Sequence, residues 1–351
     1  MTKIGLFFPS ASNGSIVSTT SPPFVPTFDN LLDITQKAEN YGVDFGLAMV
    51  KLHGFGGPSR FWDISLDPFT LVSALLARTK KIKLFATSPI LAVPPAIAAR
   101  AAATIDSVSP GRFGINIVTG WARSEYDSIG LWPGDEHYKR RYEYGAEYVT
   151  VLQQLWETGR SDFQGQFFKL NDCRVEPMPA RHVDIVSAGQ SDAGLNFAAQ
   201  YADYSFSSSV GTNNPAGIAA LMERVKQAKE AAGRPSGSFV TILTIPAETD
   251  EEAWEKWRIY SEGIDTEALG WAAGQGAGDA KGSTARAMAE AKPDAAMGQG
   301  RFIGSYKNVA AMLDELAAAP GLSGIMLALD NWHVGVDEFG TKIQPLMKSR
   351  R

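Results

Sequence analysis

Eight short runs of apolar, β-favouring residues recur along the chain, separated mostly by stretches of helical period, and this alternation constrains the fold more than any other feature of the sequence. The runs are KIGLFFP (3–9), DFGLAMV (44–50), IKLFAT (82–87), FGINIV (113–118), VDIVSA (183–188), YSFSS (204–208), FVTILTI (239–245) and GIMLAL (323–328). Several are apolar throughout, as parallel strands are when both faces of their sheet are covered. Between them lie helical stretches such as NLLDITQKAENYG, PPAIAARAAATIDSVS, RYEYGAEYVTVLQQLWETG, AGLNFAAQYA, PAGIAALMERVKQAKEAAG and EEAWEKWRIYSEG. Eight such units predict an α/β fold, a (β/α)8 TIM barrel, with a doubly wound sheet and separate cap as the alternative. A barrel of this kind needs about 250 residues, so roughly 100 must lie in insertions. These are expected at 10–26, 51–67, 119–136, 159–182 and 264–304. The last, rich in Gly and Ala, reads as a mobile lid or a surface loop. With no Pro- or Ser-rich linker and no repeat beyond the βα unit, one domain spanning 1–351 is expected.

The chain has 351 residues, 44% of them hydrophobic and 20% charged, which supports a large buried core and argues against disorder. A net charge of −5 and a pI near 5.5 give no electrostatic reason to bind nucleic acid or an anionic membrane. A small-molecule partner fits better. The start, MTKIGLFFPSASNG, has one lysine and an apolar run that stops at Pro9, unlike a secretory signal or membrane span, so a cytoplasmic location is expected. Cys173 is the only cysteine, which excludes an internal disulfide and a multi-cysteine metal site.

In a parallel barrel the reacting groups gather at the carboxyl ends of the strands. Here those ends are polar. Lys51 directly follows the second run and precedes a glycine-rich loop; the third ends at Thr87; the fourth carries Asn116 inside an apolar stretch and continues to Trp121 and Glu125. Each of these can be structural: Thr87 and Asn116 by satisfying neighbouring backbone, Lys51 by standing in solvent. Convergence on one rim favours a functional pocket. The fifth run ends in SAGQSDAG, where a helix opens near Ser191 with free backbone N–H groups suited to a phosphate; an ordinary N-cap is the simpler reading. In HYKRRYEYGAEY (137–148), Arg141 and Tyr142 are placed to reach that turn, the alternative being a solvated charge run.

The missing motifs narrow the chemistry. G-x-S-x-G is broken by Ala193, which rules against a serine hydrolase elbow. There is no G-x-G-x-x-G after a strand and no P-loop. The histidines at 53, 137, 182 and 333 lack metal-ligand spacing with one another, and no His-x-His follows the first run, so no metal site is expected. A phosphorylated substrate or a phosphate-bearing cofactor such as FMN remains.

Longer stretches carry a family resemblance over nearly the full chain. KIGLFFP, DFGLAMVKLHGFGG, FWD, PPAIAARAAATIDSVSPGRFGINIVTGW, WPGDEHYKRRYEY, SDFQGQFFKLNDCRVEP, AGQSDAGLNFAAQYAD, GSYKNVAAMLDEL and FGTKIQPLM resemble the bacterial luciferase-like flavin monooxygenases, in particular the branch that opens pyrimidine rings. KLHGFGG, NIVTGW and NDCRV are the most specific of these phrases. The resemblance implies a luciferase-like barrel that uses reduced FMN as cosubstrate and O2 as oxidant. It implies a separate NAD(P)H-dependent FMN reductase and a homo-oligomer. It also implies cleavage of an amide bond in uracil, thymine or a related N-heterocycle to a ureidoacrylate-type product. By position, Val50, Lys51, Asn116, Glu125, Arg141, Tyr142 and Ser191 would contact FMN, the last three at its phosphate; Leu47, Thr87, Asn116 and Trp121, with Lys51 beside them, would line the catalytic oxygen site.

Two loops depart from that branch. Ser15 and Thr20 stand where it carries a tryptophan and a histidine, and SSSVGTNNPAGI is small and polar where it carries phenylalanine and lysine. Loss of a stacking aromatic weakens a flat ring by about 1 kcal/mol. A larger heterocycle, a sulfonate or a sulfone is therefore an alternative substrate, and a deazaflavin-dependent reductase is the alternative of another class.

Overall fold

A computed structural model describes residues 2–276, 286 and 293–350. Eight parallel strands close into a barrel: β1 (Lys3–Phe8), β2 (Phe45–Ala48), β3 (Lys83–Pro89), β4 (Phe113–Val118), β5 (Asp184–Ala188), β6 (Tyr204–Ser208), β7 (Gly237–Ala247) and β8 (Gly324–Leu329). Each pairs with the next in sequence, and β8 returns to β1 in the register Lys3↔Gly324 to Leu6↔Leu327. All eight sequence runs coincide with a strand.

The helices follow local signals. In α1 (Phe28–Asn40) the Thr27 hydroxyl accepts from the Asn30 N–H at 3.2 Å, and Leu31, Ile34 and Ala38 form the buried stripe. Asp67 caps α2 (Pro68–Ala77), whose first residue is proline. Alanines 98, 99, 102 and 103 give α3 (Pro95–Val108) a small-residue face. The chain then forms a single turn (Arg123–Asp127) and the long α4 (Glu136–Thr158), stopped by left-handed Gly159. Behind the barrel follow α5 (Asp192–Tyr201) and α6 (Ala219–Ala232).

Between β7 and β8 the chain makes α7 (Asp250–Glu262), with a capping box of Thr249 and Glu252, then α8 (Thr266–Gly276), an extra strand (Arg301–Ser305) and α9 (Tyr306–Ala317). The insertion expected at 264–304 is thus partly regular. Residues 277–285 and 287–292 of it lie outside the described residues. The extra strand pairs with the second half of β7, Arg301↔Leu243 to Ser305↔Ala247, while the first half of β7 pairs with β6. It wedges into the rim as a ninth strand.

The interior floor is aromatic. Phe45, Phe239 and Tyr204 form a stack with centroids 4.5 and 4.3 Å apart, and Phe85 meets Phe45 and Phe239 edge-on. Glycines opposite the rings make room: a Cβ on Gly5, Gly114 or Gly237 would fall within 2.4 Å of Phe45, Phe85 or Tyr204. Among the described residues no helix is long and apolar enough to cross a membrane.

Candidate active site

The upper barrel exchanges apolar residues for polar ones. On β4, Ile115 and Ile117 face the helices, while Asn116 alternates inward and pairs in register with Thr87 on β3 and Val186 on β5. Its Nδ2 donates to the Thr87 hydroxyl at 3.0 Å; its Oδ1 is buried with no hydrogen-bond partner. Asn116 and Thr87 are 3% and 2% exposed. A buried carbonyl without a donor costs about 1–3 kcal/mol, a cost that an N–H arriving with a ligand relieves. Leu47 is fully buried in an apolar cluster with Phe85 and Val186.

Above it, Lys51 forms a buried ion pair with Glu125, the two side chains 5% and 9% exposed. The other carboxylate oxygen of Glu125 accepts from the Leu52 N–H at 3.0 Å. Three rings surround the ammonium, with centroids at 4.9 Å (Phe55), 5.2 Å (Trp62) and 5.4 Å (Trp121). Trp62 has φ +61°, a conformation rare for a bulky residue, and its indole N–H donates to the Gly14 carbonyl at 2.7 Å. Phe55 and Trp62 were not legible as site residues. They lie in a loop with four positive-φ positions (56, 57, 60 and 62), which leaves no periodicity to read. Val50, half-buried, leads into Lys51, whose carbonyl accepts from Ser65 at 2.7 Å.

A lid covers this region. Trp271 on α8 stacks on His53, centroids 5.0 Å apart and 10° between planes, and lies 5.2 Å from Phe55. Val17 from the first loop and Ala268 and Ala272 from α8 complete the cluster. Asp265 ties lid to loop by accepting from the Ser59 N–H at 2.8 Å while capping α8 through the Ala268 N–H at 3.0 Å.

Farther around the rim, Ser191 caps α5, its Oγ accepting from the Gly194 N–H at 3.2 Å. The cap reading therefore holds, and the hydroxyl proton is still free to donate. Tyr142 reaches this turn: a Cβ on Gly194 would lie 2.8 Å from its hydroxyl. Of the cation run, Lys139 and Arg140 pair at the surface with Glu136 and Glu143, but Arg141 is 4% exposed, its guanidinium 5.2 Å from the Tyr142 ring centroid. Arg224 on α6, not anticipated, fixes the turn by donating to the Gln190 carbonyl at 2.8 Å. Arg224 also pairs with Asp192 at 2.8 Å, and the first N–H groups of α5 with the Ser191 hydroxyl suit a phosphate. His137 holds the loop after β4 through the Thr119 carbonyl at 2.7 Å, and burial pushes its pKa down.

The two departing loops fare differently. Ser15 is buried. Thr20 is exposed, and its hydroxyl donates to the Ile259 carbonyl at 2.6 Å, so this position joins the first loop to α7 instead of lining the mouth. After β6, Ser209 donates to the Thr241 carbonyl at 2.7 Å, and Gln299 donates to the Thr241 hydroxyl at 3.0 Å. At the opposite end of the barrel His182, Asp184 and Asp203 converge within 4.8 Å, a grouping their sequence spacing hid. Lys83 and Arg234 already neutralise its carboxylates.

Residues 2–323 match the model of a family described as luciferase-like monooxygenase. The chain is 51% identical to the pyrimidine monooxygenase RutA of Caulobacter segnis, with 99% of each covered, and 50% identical to that of Caulobacter vibrioides, again with 99% of each covered. The fold superposes on a riboflavin lyase (RcaE) with a TM-score of 0.83 at 20% identity, covering 100% of this chain and 92% of the other.

Proposed function

The chain belongs to the luciferase-like monooxygenase family, and from that premise we propose that it is a pyrimidine monooxygenase using reduced FMN and O2 to cleave an amide bond in uracil or thymine. The observation that carries this reading is the barrel mouth itself: a buried amide acceptor at Asn116 beneath a caged Lys51–Glu125 pair, one rim position from a phosphate-suited turn.

The residues present fit a phosphate-bearing flavin. The Asn116 Oδ1 is an acceptor for an N–H, which both a reduced isoalloxazine and a pyrimidine imide possess. Arg141, Tyr142 and Ser191 would hold the phosphate; Val50, Lys51, Asn116 and Glu125 would contact the ring system. Leu47, Thr87, Asn116 and Trp121 would enclose the oxygen pocket. When bound, reduced FMN supplies the electrons that activate dioxygen. The chain's own work is preorganisation. Thr87 fixes the Asn116 amide so that Oδ1 points where a donor must arrive. Glu125 holds the Lys51 ammonium in place, so that a developing negative charge on substrate oxygen meets a positioned cation. Trp271 on α8, packed with Phe55 and Trp62, excludes water from the mouth. The product is of ureidoacrylate type. The reading extends to a separate NAD(P)H:FMN reductase as electron source, a homo-oligomeric state and the cytoplasm as location.

Purified protein supplied with FMN, NADH, a flavin reductase and air is expected to consume uracil with uptake of oxygen. Failure on both uracil and thymine overturns the substrate; anaerobic turnover with a deazaflavin overturns the monooxygenase chemistry. Asn116→Ala is expected to fold and to lose about 100-fold in oxygen-dependent turnover. Wild-type rates in that variant refute the oxygen-site assignment.

A further inference from the structure

On the outside of the barrel, away from the mouth, α6 and α9 stand apart over the start of β7 and leave a cavity of about 490 Å³. Its walls are apolar: Ile218, Met222 and Val225 on one side, Ala319 and Pro320 on the other. Lys229 and Ser238 line it as well. The Lys229 ammonium is half-buried and donates to the Ser238 hydroxyl at 2.9 Å. Ser238 is fully buried and also accepts from Ser205 at 3.2 Å, so its oxygen is saturated. An ammonium has three donors, and among the described residues only this one bond engages it. No carboxylate among the described residues pairs with Lys229, whereas Lys226, three residues earlier and also lining the groove, has Glu230 at 3.9 Å.

We propose that this groove is a binding site for a small amphiphilic carboxylate, with its apolar body against Met222 and Val225 and its carboxylate on Lys229. The volume lies in the range of small-molecule sites. Burial holds the Lys229 pKa below the usual lysine range, and an arriving carboxylate reverses that penalty by supplying the missing counter-charge. The exposed Glu223, Glu230 and Glu315 at the edge oppose a second copy of a chain of net charge −5. They act on a single carboxylate only through screened solvent, whereas Lys229 meets it among apolar side chains. The site is independent of the proposed reaction, since it shares no residue with the barrel mouth.

The test is calorimetric titration of the full-length protein with decanoate and, in parallel, decanol. Decanoate is expected to bind one per chain, and Lys229→Met to weaken it at least tenfold while leaving decanol, thermal stability and oxygen-dependent turnover unchanged. Lys229→Arg, which keeps the charge, is expected to retain binding. Ala318→Trp, at an exposed edge position, is expected to block both ligands. Absence of decanoate binding to the unaltered protein, equal binding to Lys229→Met, or a change of oligomeric state in Ala318→Trp showing that another copy covers the groove, overturns the proposal.

Discussion

A lysine ammonium held among three aromatic rings is tolerable only when its charge is met, and Glu125 meets it from the single turn after β4. Removing one member of a buried pair strands the other, a loss of about 3–5 kcal/mol, whereas removing both is far less costly. Lys51→Met and Glu125→Gln are therefore each expected to destabilise by about 3 kcal/mol, and the double variant by clearly less than their sum. A denaturant double-mutant cycle measures this; simple additivity refutes the coupling. At this scale the sequence exposes part of the site. Asn116 stands out because an amide interrupts an apolar strand, and Lys51 because it follows one. Their partners are harder to see. Glu125 is separated from Lys51 by 74 positions, and Trp62 owes its place to a backbone turn that composition does not announce.

The strands were readable because each is a compact apolar run, and both faces of the barrel wall demand one. The strand Arg301–Ser305 was not, because its five residues follow a Gly- and Ala-rich segment and its partner is the far half of an already assigned β7. One residue of β8's end reports on how α7 is fastened. Asp330, 5% exposed, accepts from the Tyr260 hydroxyl at 3.0 Å and lies 3.6 Å from Lys256. Burial pushes its pKa up to about 6, with Glu338 adding to the rise and Lys256 and Tyr260 opposing it. The folded value stands above the unfolded one near 3.9, so the group favours folding while protonated and loses that contribution as pH rises through about 6. Asp330→Asn keeps an acceptor for Tyr260 and removes the titration. Its stability relative to the unaltered protein is expected to improve by about 2 kcal/mol between pH 4 and pH 7.5. Melting curves across that range decide it: a constant difference refutes the assignment.

At the scale of the molecule, two tasks fall to different layers: a barrel that positions groups, and a cover assembled from the first loop, the loop after β2 and α8. Within the cover, Trp271 touches both His53 and Phe55. Trp271→Ala is expected to leave the fold intact and admit water, so that several times more hydrogen peroxide is released per pyrimidine consumed. An unchanged ratio, read by peroxidase assay beside product quantitation, refutes a shielding role for α8.

The stacked rings of Phe45, Phe239 and Tyr204, with Phe85 wedged beside them, do more than fill the base of the barrel. They make it a blind well. On the proposed function, flavin and pyrimidine, both too bulky to pass the ring stack, enter from the mouth, and the product leaves by the same route before the next load descends. Traffic through a single doorway imposes a queue, and the order of that queue belongs to the architecture before any residue at the mouth has acted.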